Sequence, residues 1–336
     1  MEYRRLGRTG VAVSSLCLGA MMFGEWGTRD HDESIKIIHR ALDAGINFID
    51  TADVYSAGES EVIVGKALAG GRRDDIVLAS KVHMPMGEDP NQRGNSRRWI
   101  IREVENSLRR LGTDYLDLYQ IHRYDLDETL GALSDLNRAG KVRYFGHSTW
   151  PVSAIVDAQW TAQERGRERF RTEQPTYSIL TRAIESDVLP TCVRYGMGVL
   201  SYSPLAGGWL SGRYRTGDEG PYSAARQRLA NRFDMSLPEN QRKLDAAGQL
   251  GELAGKAGIT LIELAIAFVL RHPAISSAVI GPRTMEYLES QLTAAGTVLS
   301  DDVLDRIDEI VPPGITLNPA GNGWGSPALE APARRR

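Results

Sequence analysis

The feature that most constrains this chain is an alternation that runs along nearly its whole length. Short apolar runs at 14–19, 46–50, 76–81, 115–121, 142–146, 170–174, 199–202 and 277–280 read as buried strands. Between and after them fall segments with helical spacing of apolar residues, at 32–44, 59–69, 97–111, 128–138, 152–163, 185–195, 239–256, 261–270 and 284–295. In the third of these, Ile100, Ile101, Val104, Leu108 and Leu111 lie on one side. Ahead of the first strand, Gly7 and Gly10 flank a charged Arg8-Thr9 turn, which predicts a small hairpin over 3–13.

Buried strands that alternate with helices imply parallel strands joined by right-handed crossovers. An open doubly wound sheet would want a Gly-x-Gly-x-x-Gly turn after an early strand, and Gly19 and Gly24 do not make one. About eight units suit closure into a (β/α)8 barrel, an α/β fold of the TIM-barrel type with an N-terminal β-hairpin. No internal boundary stands out, so residues 1–317 are expected to form one domain. The stretch 318–336, rich in Pro, Gly and Ala and ending in three arginines, reads as a mobile C-terminal tail, with a docked cover over the site as the other reading.

Composition removes several classes of function. A formal net charge of −3 gives no electrostatic case for nucleic acid or an anionic membrane. The two cysteines, Cys17 and Cys192, fall in different elements, with neither a disulfide framework nor a metal-binding spacing. The N-terminus lacks the apolar core of a signal peptide, and no apolar run approaches the roughly 20 residues that span a bilayer. The expected location is cytoplasmic, and the oligomeric state stays open.

Chemistry in a parallel barrel sits at the C-terminal ends of the strands. Those ends carry Gly19 and Met21; Asp50, with Tyr55 beyond; Lys81; His122; Ser148-Thr149-Trp150; Gln174; Tyr202-Ser203-Pro204-Leu205; and Gly281-Pro282-Arg283. Singly, each has an ordinary role as a turn, cap or packing residue. Asp50, Tyr55, Lys81 and His122 stand at consecutive strand ends, however. A tyrosine is a poor acid near neutral pH unless its anion is stabilised, which a nearby ammonium does and a carboxylate on that ammonium supports. A histidine can donate to a substrate oxygen. This set would move a proton to or from a carbonyl or alcohol oxygen.

The residues 45–55 (Gly-Ile-Asn-Phe-Ile-Asp-Thr-Ala-Asp-Val-Tyr), Ala79-Ser80-Lys81, 108–122 and Tyr202-Ser203-Pro204-Leu205-Ala206-Gly207-Gly208 stand in the order of one family's motifs. On these the chain resembles the aldo-keto reductase superfamily, from Tyr3 to about Ala295. Tyr55-Ser56-Ala57-Gly58 and Trp209-Leu210-Ser211-Gly212-Arg213-Tyr214 point to the bacterial branch similar to potassium-channel β subunits. The resemblance implies an extended NADPH (or NADP+) and a tetrad in which Tyr55 is the general acid. Lys81, paired to Asp50, would lower the pKa of Tyr55, and His122 would orient the carbonyl. It implies Tyr202, Ser148 and Gln174 around the nicotinamide, and Ser203, Leu205, Gly207 and Arg213 along the pyrophosphate. Gly281, Arg283 and Gln291 would lie at the adenosine end, and Gly19 on the cofactor side of the first strand. Thr149, Ser290 and Gln291 depart from residues frequent in the family. Channel-subunit relatives carry Asn at the His122 position, so His122 favours a reductase over a nucleotide-binding regulatory protein with slow or no turnover. Met21, Trp26, His83, Met84, Tyr124 and Trp150 are expected at the pocket mouth, which would suit an apolar or aromatic carbonyl or alcohol.

Overall fold

The computed structural model describes residues 1–122, 127–213 and 230–323. Its strands are β1 (Tyr3–Arg5), β2 (Ala12–Ser14), β3 (Leu16–Gly19), β4 (Phe48–Asp50), β5 (Val77–Val82), β6 (Leu116–Ile121), β7 (Val142–His147), β8 (Thr172–Glu173), β9 (Gly198–Tyr202) and β10 (Ile275–Ile280). From β3 onward they pair in parallel and close into a barrel, in sequence order, with β10 returning to β3. The (β/α)8 barrel expected from the alternation is the fold found.

The helices are α1 (His31–Asp43), α2 (Glu59–Leu68), α3 (Arg97–Leu111), α4 (Asp127–Arg138), α5 (Val152–Glu164), α6 (Val188–Tyr195), α7 (Pro238–Lys256), α8 (Leu261–Arg271), α9 (Met285–Leu292) and α10 (Asp301–Ile310). Their ends follow local chemistry. Asp30 accepts the backbone N–H groups of Asp32 and Glu33 at the start of α1, and Thr260 and Glu263 form a reciprocal cap on α8. The helix α10 goes beyond the sequence reading, which ended its helices at 295. Asp301 and Asp302 in its first turn, followed by Val303, Leu304, Ile307 and Ile310 at helical spacing, are the signal for it.

The core has two layers. Cys17, Phe48, Ala79, Leu118, Leu200 and Val279 fill the barrel interior, while a larger cluster packs between the strands and the helices. The hairpin of β1 and β2 plugs the interior from below with Leu6, Val11 and Val13. It is fastened to the N-terminal ends of the strands: Arg4 Nη1 donates to the carbonyls of Leu270 (2.8 Å) and Ile275 (3.1 Å), and the Arg8 N–H to that of Gly196 (2.8 Å).

The opposite end differs in its backbone. Among the described residues, every non-glycine with positive φ lies just beyond the C-terminal end of a strand: Ser56 and Ala57, His83, Thr149, Ser203 and Ala206. Such conformations cost of order 1–3 kcal/mol each and cluster where a site demands them.

Candidate active site

Lys81 lies at the end of β5 and is fully buried. Its ammonium has three donors and three acceptors: a very short contact to Asp50 Oδ1, the Thr51 carbonyl at 3.0 Å and the Tyr55 hydroxyl at 3.2 Å. An ammonium has no lone pair, so Lys81 donates to the Tyr55 oxygen. The phenol's own proton is thereby left for another acceptor. Asp50, at the end of β4, takes two further hydrogen bonds, from Gln120 Nε2 and Gln174 Nε2, each at 2.9 Å. Burial alone would push the Lys81 ammonium down; the Asp50 charge, with the bonds to Asp50 and Tyr55, more than offsets it and holds Lys81 raised.

Tyr55 sits in the short turn Tyr55–Gly58, with the Trp26 ring 6.0 Å and the His122 ring 6.5 Å from its own. The expectation that Lys81 lowers its pKa needs correction in the net. The ammonium does act downward, but burial of the hydroxyl acts upward more strongly, and the phenol ends above its ordinary value. Tyr55 is therefore fully protonated near neutral pH, the state required of a proton donor.

The residues expected around a nicotinamide are brought together beside this group. Ser148 Oγ donates to the Gln174 carbonyl at 2.9 Å, the Gln174 side chain reaches Asp50, and the Tyr202 and Thr149 hydroxyls lie 3.5 Å apart. Beyond Tyr202 the chain winds through left-handed residues Ser203, Ala206, Gly207 and Gly208. Leu205 packs on the core, and Gly207 lies against Phe233. Arg213 and Arg283 converge on the Tyr287 ring, their guanidinium carbons 4.4 and 5.8 Å from its centre. Gly281 is exposed on the approach to them, whereas Gln291 is buried and donates to the Tyr287 carbonyl at 2.9 Å. The two groups are joined by one loop: Trp26 lies on Tyr55, and Thr28 Oγ1 donates to the Arg283 carbonyl at 2.6 Å. At Gly19 an added Cβ would come within 2.8 Å of Val279 Cγ1, so its missing side chain serves the close approach of β10.

The residues expected at the pocket mouth divide. Trp26 lies on Tyr55, His83 is half-buried with Nδ1 2.8 Å from Asn95 Oδ1, Met84 is half-buried, and Met21 is exposed. Trp150 is not at the mouth. It is only 2% exposed and stacks on His147 with ring centres 4.4 Å apart, in the layer between barrel and helices. The turn after β7 folds it inward, where its backbone N–H bonds Glu173 at 3.2 Å. Tyr124 and Tyr214 lie outside the described residues.

The boundary drawn at 318 also needs correction. Asn318 is buried, and its amide donates to the Asn231 carbonyl (3.1 Å) and Asn240 Oδ1 (2.7 Å), while Gly323 packs against the Tyr202 hydroxyl. Residues 318–323 are thus packed onto the barrel; 324–336 lie outside the described residues.

Sequence reasoning missed Gln120, whose Nε2 braces Asp50, and the buried pair of His147 Nδ1 with Glu173 Oε2 on adjacent strands. It also missed a polar cluster behind the tetrad, formed by Asp53, Glu61, Glu103 and Arg110.

Comparison with known proteins agrees with the barrel fold. Residues 15–312 match the model of the aldo/keto reductase family. The chain is 38% identical to the uncharacterized oxidoreductase YrpG of Bacillus subtilis, over 96% of this chain and 100% of that one. It is 34% identical to aldo-keto reductase YhdN of the same organism, over 93% of this chain and 94% of that one. It is also 34% identical to a probable voltage-gated potassium channel subunit beta of Oryza sativa, over 93% and 97% of the two chains. This protein belongs to the aldo/keto reductase family.

Proposed function

We propose that the protein is an NADPH-dependent reductase of aldehydes or ketones, with Asp50, Tyr55, Lys81 and His122 as its catalytic residues. The observation that carries this reading is the Lys81 hydrogen-bond set. It donates to the Tyr55 oxygen, leaves the phenol proton for a substrate oxygen, and places a positive charge 3.2 Å from where negative charge develops as that proton leaves. His122, set edge-on to Tyr55, orients the same oxygen. When bound, a nicotinamide coenzyme would supply the hydride for the carbonyl carbon. In the reverse direction Tyr55 accepts the alcohol proton.

The residues present suit a phosphorylated dinucleotide. Ser148, Gln174 and Tyr202 would hold the nicotinamide end, and the left-handed turn 203–208 would turn backbone N–H groups toward the pyrophosphate. Arg213 and Arg283, gathered on Tyr287, would hold an adenosine phosphate, with Gly281 and Gln291 beside it. Two guanidiniums on one aromatic ring favour NADPH over NADH.

The test is fluorescence titration with NADPH and NADH, followed by absorbance on adding an aromatic aldehyde. Tighter NADPH binding with oxidation on aldehyde addition is expected. Tight binding with no oxidation across a broad carbonyl panel would favour a regulatory nucleotide-binding role, in keeping with the name of the rice relative. Binding of neither coenzyme would overturn the assignment.

A further inference from the structure

We propose that Arg110, on the far side of the Tyr55 turn from the reaction, is a positioning residue that holds Tyr55 and Lys81 in register; this rests on the reductase reading above. Arg110 is in the last turn of α3. Its Nε donates to Glu61 Oε2 at 2.6 Å, and its Nη2 to Glu103 Oε1 at 2.5 Å and Ser107 Oγ at 3.3 Å. Glu61 is fully buried in the first turn of α2, directly after the Tyr55 turn. Its other oxygen accepts from Ser80 Oγ at 2.5 Å, and Ser80 is the neighbour of Lys81 on β5. One guanidinium therefore fixes the helix that follows the acid and, through Glu61, the strand that carries the ammonium.

Two further observations assign the contact to the turn itself. Ser56 and Ala57, directly after Tyr55, both hold left-handed φ, at 48° and 54°. Consecutive L-residues in that region relax unless both flanks are tied. One flank is tied by Ser56 Oγ, which accepts from the Trp26 N–H at 3.1 Å. The other flank is Gly58, at φ 94°, where an added Cβ would fall 2.8 Å from Arg110 Cδ and 3.0 Å from its Nε. The arginine stem lies directly against the turn, and only glycine leaves it room. A lysine could keep the charge there, but its compact ammonium lacks the separate Nε and Nη2 donors with which the guanidinium meets Glu61 and Glu103.

The test uses the full chain as parent, Arg110→Lys and Gly58→Ala, each also with Tyr55→Phe. Circular dichroism checks that each is folded. The difference in tyrosinate absorbance between each protein and its Tyr55→Phe counterpart titrates Tyr55 without needing turnover. The Tyr55 titration is expected to move away from the parent's in both variants, because a relaxed turn changes both its distance from Lys81 and its burial. The kcat for aldehyde reduction is expected to fall by roughly 10- to 100-fold, the scale of an ångström-sized misplacement, with coenzyme Kd unchanged. Folded variants with the parent's Tyr55 titration and the parent's kcat would overturn the proposal. A parent that binds coenzyme but reduces no carbonyl would instead sink the reductase reading, and the titration would still judge Arg110.

Discussion

The two ends of the barrel are built from the same strands and behave as different materials. Below, the hairpin closes the interior with Leu6, Val11 and Val13, and backbone and side-chain bonds seal the rim. Above, a fully buried ammonium, the carboxylate it pairs with and six left-handed non-glycine residues crowd together among the described residues. Burying charge and holding strained backbone both cost stability. The lower end supplies ordinary packing, so the strained end can be held in one geometry. Substitutions below should therefore change stability without changing chemistry, and those above should change chemistry with a stability effect set by buried charge.

The largest expected effect is at the upper end. Lys81→Met leaves Asp50 buried without its cation, and removal of one partner of a buried pair typically costs about 3–5 kcal/mol. Gln120 and Gln174 still donate to Asp50, so the lower part of that range is expected in urea unfolding, with carbonyl reduction abolished. A variant as stable as the parent would mean the pair is not held charged. Next is Leu6→Ala, which removes a fully buried side chain from the plug and should cost roughly 2–5 kcal/mol. Its kcat per folded molecule should match the parent's; a collapse of kcat would erase the distinction between the ends.

The smallest effect sharpens the contrast through pH. Asp53 is buried near Glu61 and Glu103, and burial first, then those two carboxylates, push its pKa well up despite the Val54 N–H and Arg110. The native state keeps a proton that the unfolded chain releases above about pH 3.9. The associated stability is fully present below that pH and drains away as pH rises toward the folded value. Asp53→Asn cannot ionise, so its melting temperature should gain on the parent's over the window that opens above about pH 4. The Leu6→Ala offset should stay flat across that window, and an equally flat Asp53→Asn offset would contradict the assignment.

The barrel was legible because its signal is local and repeated: each strand is a short apolar run, and each helix declares its buried face by spacing. Asp50, Lys81 and His122 were legible as polar residues at strand ends, and the topology did the rest. What escaped depends on partners distant in sequence. Gln120 sits inside an apolar strand and acquires its role only when Asp50, 70 positions away, lies beside it. Arg110 looks like a solvated arginine at a helix end, a position where cations are common. Trp150 follows a turn, and nothing local says whether the chain then points it outward or onto His147. The sign of the Tyr55 shift was missed because the ammonium can be read from sequence while the burial opposing it cannot. Asn318 looked like tail for the same reason, its partners Asn231 and Asn240 lying in another segment.

Single-turnover hydride transfer in Tyr55→Phe, with NADPH already bound, asks whether the proton comes from Tyr55. NADPH should bind as in the parent while oxidation on mixing with aldehyde slows by about 10²- to 10⁴-fold, the usual contribution of a positioned general acid. Oxidation at the parent's rate would show that the proton comes from elsewhere, and the Lys81–Tyr55 contact would then be structural.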